Sequence, residues 1–230
     1  MRLLIVGYGK MGKLVDQLAP AHGFEVVDRL DIYNNANGEG IPPALAQGVD
    51  LAVDFSSADA VLRNLPKLAA ARVNLVIGTT GWKAHEPAMK KMAADAGIGV
   101  VAAPNFALGV NLFQGLVERA ARLLGAHDEF GAWIHEAHHA AKKDAPSGTA
   151  LALEHAMREA GYLLPIDMAS TRAGSMPGIH TVGFDGPFET ITLTHSARDR
   201  AAFARGALEA ARWIHGKRGW FTMRDVLGLG

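Results

Sequence analysis

The strongest constraint on this fold lies at the N-terminus. Arg2 to Val6 read as a strand that runs directly into Gly7-Tyr8-Gly9-Lys10-Met11-Gly12. Beyond the turn, Met11, Leu14, Val15 and Leu18 recur at helical spacing, and Pro20 to Gly23 end the helix. An uninterrupted apolar strand is what a parallel sheet covered on both faces requires. Phe24 to Val27 reads as the next strand, ending at Asp28-Arg29.

The rhythm then repeats. Leu51 to Phe55 is a strand and Ala58 to Ala71 a helix, with Val61, Leu62, Leu65 and Leu68 on one face. Val73 to Ile77 is a strand ending in Gly78-Thr79-Thr80-Gly81, Pro87 to Ala96 a helix, and Ile98 to Ala102 a strand ending in Ala103-Pro104-Asn105-Phe106. Asn34 to Pro43 is polar and rich in Gly and Pro, so it reads as a loop. Alternating strands and helices of these lengths predict a Rossmann-type α/β domain with right-handed crossovers.

After residue 106 the pattern changes. Asn111 to Leu124 is a long amphipathic helix, Phe130 to Ala137 a strand, and Leu151 to Ala160 an Ala/Leu-rich helix. Thr181 to Phe184 and Glu189 to Ser196 have the threonine-rich, period-two pattern of a partly exposed sheet, and Ala201 to Ile214 is a closing helix. Strands without a helix between each pair predict an α+β second domain with a mixed or antiparallel sheet. The expected division is 1–106 for the first domain and 107–206 for the second. The 230 residues amount to about one and a half domains at ~150 residues each.

Composition excludes several classes of function. Lys+Arg and Asp+Glu both number 23, so the chain lacks the basic excess of a nucleic-acid or membrane-surface binder. Cysteine is absent, which removes disulfides, thiolate metal sites and cysteine nucleophiles together. No stretch approaches the ~20 apolar residues that span a bilayer, and no signal-peptide pattern opens the chain. A cytoplasmic protein is expected. Glycine, at 26 residues, exceeds the usual ~7% and points to special backbone positions.

The glycine turn has the context of a dinucleotide site, since it follows an apolar strand, opens a helix and precedes an acidic residue after the next strand. The three glycines would serve the tight turn, backbone approach to a pyrophosphate, and helix–strand packing. Free N–H groups at the helix start would meet the phosphates. Asp28 is placed to accept from a ribose 2′-hydroxyl, while Arg29 beside it could meet a 2′-phosphate, so NADH and NADPH both stand as cofactors. Gly78, Thr79 and Thr80, and Ala103 to Phe106, lie at strand ends where ligands bind in open α/β sheets.

The chemistry concentrates in Glu136-Ala137-His138-His139-Ala140-Ala141-Lys142-Lys143-Asp144-Ala145-Pro146-Ser147-Gly148-Thr149-Ala150. Two histidines and two lysines precede a helix start whose first N–H groups, on Gly148 and Thr149, have no intrahelical acceptor. Such a segment suits a small, multiply anionic substrate. Histidine can deliver a proton near neutrality, and lysine supplies charge or a second proton. His135, His138 and His139 come without a further ligand pattern, so no metal is expected.

This central run resembles the signature of the dihydrodipicolinate reductase family, and the resemblance extends along nearly the whole chain. Asp54-Phe55-Ser56, Gly78-Thr79-Thr80-Gly81, and Pro104-Asn105-Phe106 with Gly109-Val110-Asn111 are similar to the family's cofactor-domain motifs. Arg172, Gly174, Gly178 and His180 resemble its R-x-G-x-x-x-G-x-H element, and Glu189 to Ala207 its late strand and closing helix. The glycine loop is one residue shorter than in many relatives, Ala107 stands where serine is usual, and the 34–50 region is abbreviated.

The resemblance implies NAD(P)H-dependent reduction of a dicarboxylate cyclic imine in diaminopimelate and lysine biosynthesis, with hydride delivered to ring C4. It implies His138 as proton donor, Lys142 as second proton donor, His139 as a substrate contact, and Gly148 and Thr149 as carboxylate holders. Gly7, Tyr8, Gly9, Lys10, Met11 and Gly12 join Asp28, Arg29, Gly78, Thr79, Thr80, Ala103, Pro104, Asn105 and Phe106 as cofactor contacts. It also implies return of 207–230 to the first domain and a homotetramer formed through the second-domain sheet. Two other readings fit the fold. Another short two-domain NAD(P)-dependent dehydrogenase would need a different cationic segment. A non-catalytic dinucleotide-binding sensor would be expected to have lost His138 or Lys142.

Overall fold

The computed structural model describes residues 1–229 and divides into two compact units, one of Met1–Leu108 with the stretch from Ala201 onward, the other of Gly109–Arg200. In the first unit, β1 (Arg2–Val6), β2 (Glu25–Leu30), β3 (Leu51–Asp54), β4 (Asn74–Ile77), β5 (Gly99–Ala102) and β10 (Gly219–Phe221) form a parallel sheet in the order β10-β5-β4-β3-β1-β2. The crossovers are α1 (Lys10–Leu18), α3 (Ala58–Ala70) and α4 (Glu86–Ala96), with a short α2 (Pro43–Gln47) before β3.

Leu3, Leu4, Ile5 and Val6 are all buried because successive side chains of β1 enter different cores. Leu4 and Val6 join Ala52, Leu65, Leu68, Leu75 and Ile77 on one face. Leu3 and Ile5 join Val15, Val53, Val76 and Val101 on the other. That second face is covered partly by α7 (Ala201–Ile214), through Ala204, Ala207, Leu208 and Ala211. The stretch beyond residue 214 adds β10 to the edge of this sheet beside β5, followed by α8 (Met223–Leu227).

The second unit holds α5 (Leu108–Leu124, its first residue in the other unit), β6 (Gly131–His138), α6 (Gly148–Glu159), β7 (Ile166–Arg172), β8 (Ile179–Asp185) and β9 (Thr190–Ser196). Its sheet runs β7-β6-β8-β9 and is mixed. β6 and β7 are parallel, joined through α6 as a parallel pair requires, whereas β8 and β9 add antiparallel. Val117, Ile134, Leu153, Met157, Tyr162, Val182 and Phe184 fill its core.

Candidate active site

In the first unit the glycine turn behaves as steric reasoning requires. Gly7 has φ +89, and a Cβ there would fall 2.4 Å from the carbonyl carbon of Phe55, so only glycine fits. Gly9 caps α1, and nothing lies within 4 Å of where its Cβ would be. The approach to the helix N-terminus is therefore open to a phosphate.

Two adjoining cavities of about 400 and 450 Å³ lie along these turns and share Gly9, Phe55, Ser56 and Ser57. Of the residues expected at the cofactor, Gly7 and Tyr8 line the first, Lys10, Met11, Gly78, Thr79 and Thr80 the second, and Gly9 both. Gly12 is buried against the Gly7 carbonyl instead. Neither cavity's lining includes Ala103, Pro104, Asn105 or Phe106. Phe106 packs edge-on against Phe55 at 6.2 Å, supporting a cavity wall from behind.

Asp28 and Arg29 also lie outside both linings. β2 continues through Leu30, which is buried, and a register shift between Leu3 and Leu4 places Asp28 opposite Leu4. Arg29 is engaged by Asp16 through two hydrogen bonds of 2.7 Å, and Tyr8 donates to the same carboxylate. The hydrogen bonds from Arg29 hold the Asp16 carboxyl below its usual range. The carboxylate at the true strand end is Asp31, which lines the first cavity, and its Oδ1 accepts the Tyr33 N–H at 2.8 Å. Continuing the strand to the apolar Leu30 is the signal that puts Asp31, rather than Asp28, at the strand end.

The second unit gathers its titratable groups around Glu136, a fully buried carboxylate in β6. The Arg172 guanidinium donates to both its oxygens, at 2.6 and 2.9 Å, from the adjacent strand β7. Oε1 also accepts the backbone N–H of Ser147 at 3.2 Å. Oε2 accepts from Nδ1 of His138, which lies two residues along the same strand and therefore on the same face. Burial alone would raise the Glu136 carboxyl. Hydrogen bonds from Arg172, Ser170 and His138, with the Arg172 charge, hold it instead at about 2. An ionised Glu136 fixes the proton on Nδ1, so any proton this ring exchanges passes through Nε2.

The remaining groups support that arrangement. A Cβ at Gly178 would stand 3.0 Å from Nε2 of His138, so glycine there keeps this edge uncrowded. His180 packs against the His138 ring at 5.1 Å, and its Nε2 bonds Ser147 Oγ at 3.1 Å. Burial, with help from the charge of His138, pushes the His180 ring down to about 4, which keeps it neutral near pH 7. Ser147 caps α6, its Oγ accepting the Ala150 N–H. Arg172, Gly178 and His180 thus all converge on Glu136, His138 and Ser147.

Lys142 makes a two-pronged ion pair with Asp144, at 2.6 and 2.7 Å, before the cap of α6. Gly148 is exposed and Thr149 and His139 are partly so. Oxygen and nitrogen atoms of Glu136, His138 and His180 lie within 4.8 Å of one another, a metal-like spacing. Both Glu136 oxygens already accept from Arg172, however, and a dication there would sit against that cation.

Family models describe the two parts of the chain as "Dihydrodipicolinate reductase, N-terminus", over residues 1–106, and "Dihydrodipicolinate reductase, C-terminus", over residues 109–227. A protein of Rhodopseudomonas palustris named 4-hydroxy-tetrahydrodipicolinate reductase is 38% identical, with 100% of this chain and 97% of that protein covered. A protein of Laribacter hongkongensis with the same name is 37% identical, covering 100% and 98%. The dipicolinate-bound dihydrodipicolinate reductase from Paenisporosarcina sp. TG-14 has the same fold. Its TM-score is 0.82 at 22% identity, over 96% of this chain and 97% of that one.

Proposed function

The chain belongs to the dihydrodipicolinate reductase family, and from that premise we propose how its own residues divide the work of the reaction. It is an NAD(P)H-dependent oxidoreductase of diaminopimelate and lysine biosynthesis, acting as a 4-hydroxy-tetrahydrodipicolinate reductase. The observation that carries the residue assignment is the buried Glu136, clamped by Arg172 and bonded to His138.

The open N-terminus of α1 and the two adjoining cavities fit a dinucleotide. Gly7 to Met11 would hold its pyrophosphate, Asp31 its adenosine ribose, and Thr79 with Thr80 its nicotinamide end. When bound, the nicotinamide supplies a hydride for C4 of the substrate ring. His138, presented through Nε2, protonates the neighbouring carbon as general acid. Overall one hydride and one proton are added to the ring and water leaves the hydroxylated precursor. Gly148 and Thr149, at the N-terminus of α6, hold a substrate carboxylate, with His139 as a further contact. Lys142 binds that anion once Asp144 releases it, and is the second group from which the ring's one proton can be drawn.

Asp31 favours NADH. Its carboxylate accepts from a ribose 2′-hydroxyl and repels a 2′-phosphate, while Ile32 beside it offers no cation and Arg29 is occupied by Asp16. The reaction takes place in the cytoplasm. Copies of the chain associate as tetramers through the open sheet face that carries Trp133, His135, Thr181, Thr192 and Thr194.

Nicotinamide oxidation followed at 340 nm, with substrate formed in situ from pyruvate and aspartate semialdehyde, tests the cofactor assignment. We expect kcat/KM for NADH to exceed that for NADPH by about tenfold or more, and Asp31→Asn to narrow the gap. A preference for NADPH would overturn the role given to Asp31.

A further inference from the structure

We propose that Asp54 is the positioning residue of the dinucleotide site, its buried carboxylate tying together the three loops that wall the two cavities. Asp54 ends β3, is fully buried, and lines neither cavity itself. Four hydrogen bonds are donated to it. Oδ1 accepts the N–H and hydroxyl of Ser56, at 2.9 and 2.5 Å, and the Thr79 hydroxyl at 3.0 Å. Oδ2 accepts from Nδ2 of Asn64 at 3.3 Å.

From Asn64 the connection runs on in one direction. Asn64 Oδ1 accepts from Asn35 Nδ2 at 3.1 Å, and Asn35 Oδ1 accepts the Gly40 N–H at 3.0 Å. Asn64 is 1% exposed and Asn35 6% exposed, so water does not compete for these bonds. An oxygen that only accepts, at the head of the chain, decides which way both amides face. Asn35 lines the first cavity, Ser56 both, and Thr79 the second. One carboxylate therefore holds the 31–41 loop and the β3 and β4 turns in fixed relation.

Burial pushes the Asp54 carboxyl up, against the hydrogen bonds from Ser56, Asn64 and Thr79. A fold that needed only a filled core would place an apolar side chain here. The position of Asp54 behind the cavity walls is what gives a buried acid a use.

The inference rests on the dinucleotide reading of these cavities, and the experiment separates the two. NADH and ADP-ribose are titrated against the full chain and its variants, with the melting temperature of each recorded. Asn in place of Asp54 presents an N–H where Oδ2 accepted, so Asp54→Asn should weaken both ligands by about tenfold, as loss of one buried hydrogen bond does. Asn64→Leu cuts only the branch to the 31–41 loop and should weaken ADP-ribose as much as NADH. Thr79→Val cuts only the other branch and should weaken NADH alone. Combined in one chain, the last two should give more than either and no more than Asp54→Asn. A folded Asp54→Asn that binds both ligands within twofold of the parent overturns the proposal. So does an Asp54→Asn that fails to fold while folded Asn64→Leu and Thr79→Val bind as the parent does. A parent that binds neither ligand defeats the dinucleotide reading, and the proposal with it.

Discussion

Each unit buries one carboxylate behind its candidate site, and the two are held by opposite means. Glu136 faces a guanidinium and is kept ionised at about 2, whereas Asp54 faces only neutral donors and burial pushes it up. Hydrogen-bond number does not separate them, because each accepts several. The Arg172 guanidinium does, through its hydrogen bonds first and its charge second. A site that must hold a proton-carrying imidazole in one tautomer calls for a permanent negative charge. A site that must only keep three loops in register is served by a carboxylate held by neutral donors.

The largest effect that could break this contrast is on the acid itself. His138→Gln should lower kcat by roughly 10²-fold or more, read in steady-state turnover with NADH, because the Glu136 contact orients this imidazole as the general acid. Unchanged turnover would remove His138 from the chemistry. Arg172→Lys keeps a positive charge but loses the two-pronged geometry, and should lower kcat by about tenfold, with a smaller change in KM for NADH. An unchanged kcat would mean that the clamp on Glu136 is structural only.

Acid stability sharpens the contrast, with a smaller effect. Glu136 titrates near 4.5 when unfolded and at about 2 when folded, so it stabilises the fold above pH 4.5 and loses that contribution as pH falls toward 2. The gap corresponds to on the order of 3 kcal/mol. His180, lowered to about 4, acts in the same sense, its contribution lost as pH falls from 6.5. Asp54 runs the other way: its raised pKa favours the fold at low pH, and that contribution is lost as pH rises. Calorimetric melting from pH 7 to pH 3 should show a falling midpoint, with Glu136→Gln flattening the fall. A midpoint that rises on acidification would contradict the ionised state of Glu136.

Much of this was legible in the residues. The alternation from Arg2 to Ala102 marked the six-stranded parallel sheet apart from β10, because most of its strands are short apolar runs and α1, α3 and α4 between them are amphipathic. β7 escaped because Ile166 to Arg172 is an edge strand, largely exposed and carrying Asp, Ser, Thr and Arg. β10 escaped because three residues are too few for periodicity. The glycine turn and the His138 segment marked both candidate sites. Glu136 and Asp54 stood inside quoted motifs without a role, since their partners come from Arg172 and Ser147 in one case and from Asn64 and Thr79 in the other. Such convergence is created by the fold and has no local signature. That β2 ends before Asp31 rather than at Asp28 has a similar cause, because the register of β1 against β2 decides where the strand ends.

The most direct measurement sets Glu136→Gln beside Asp54→Asn in one experiment that records kcat and the dissociation constant for NADH for each. The account predicts a crossed pattern: Glu136→Gln lowers kcat by about tenfold or more and leaves NADH binding within twofold, while Asp54→Asn weakens NADH binding by about tenfold with a smaller change in kcat. Equal losses in both quantities for both variants would contradict it, since they would make the two carboxylates general supports of the fold rather than organisers of separate sites.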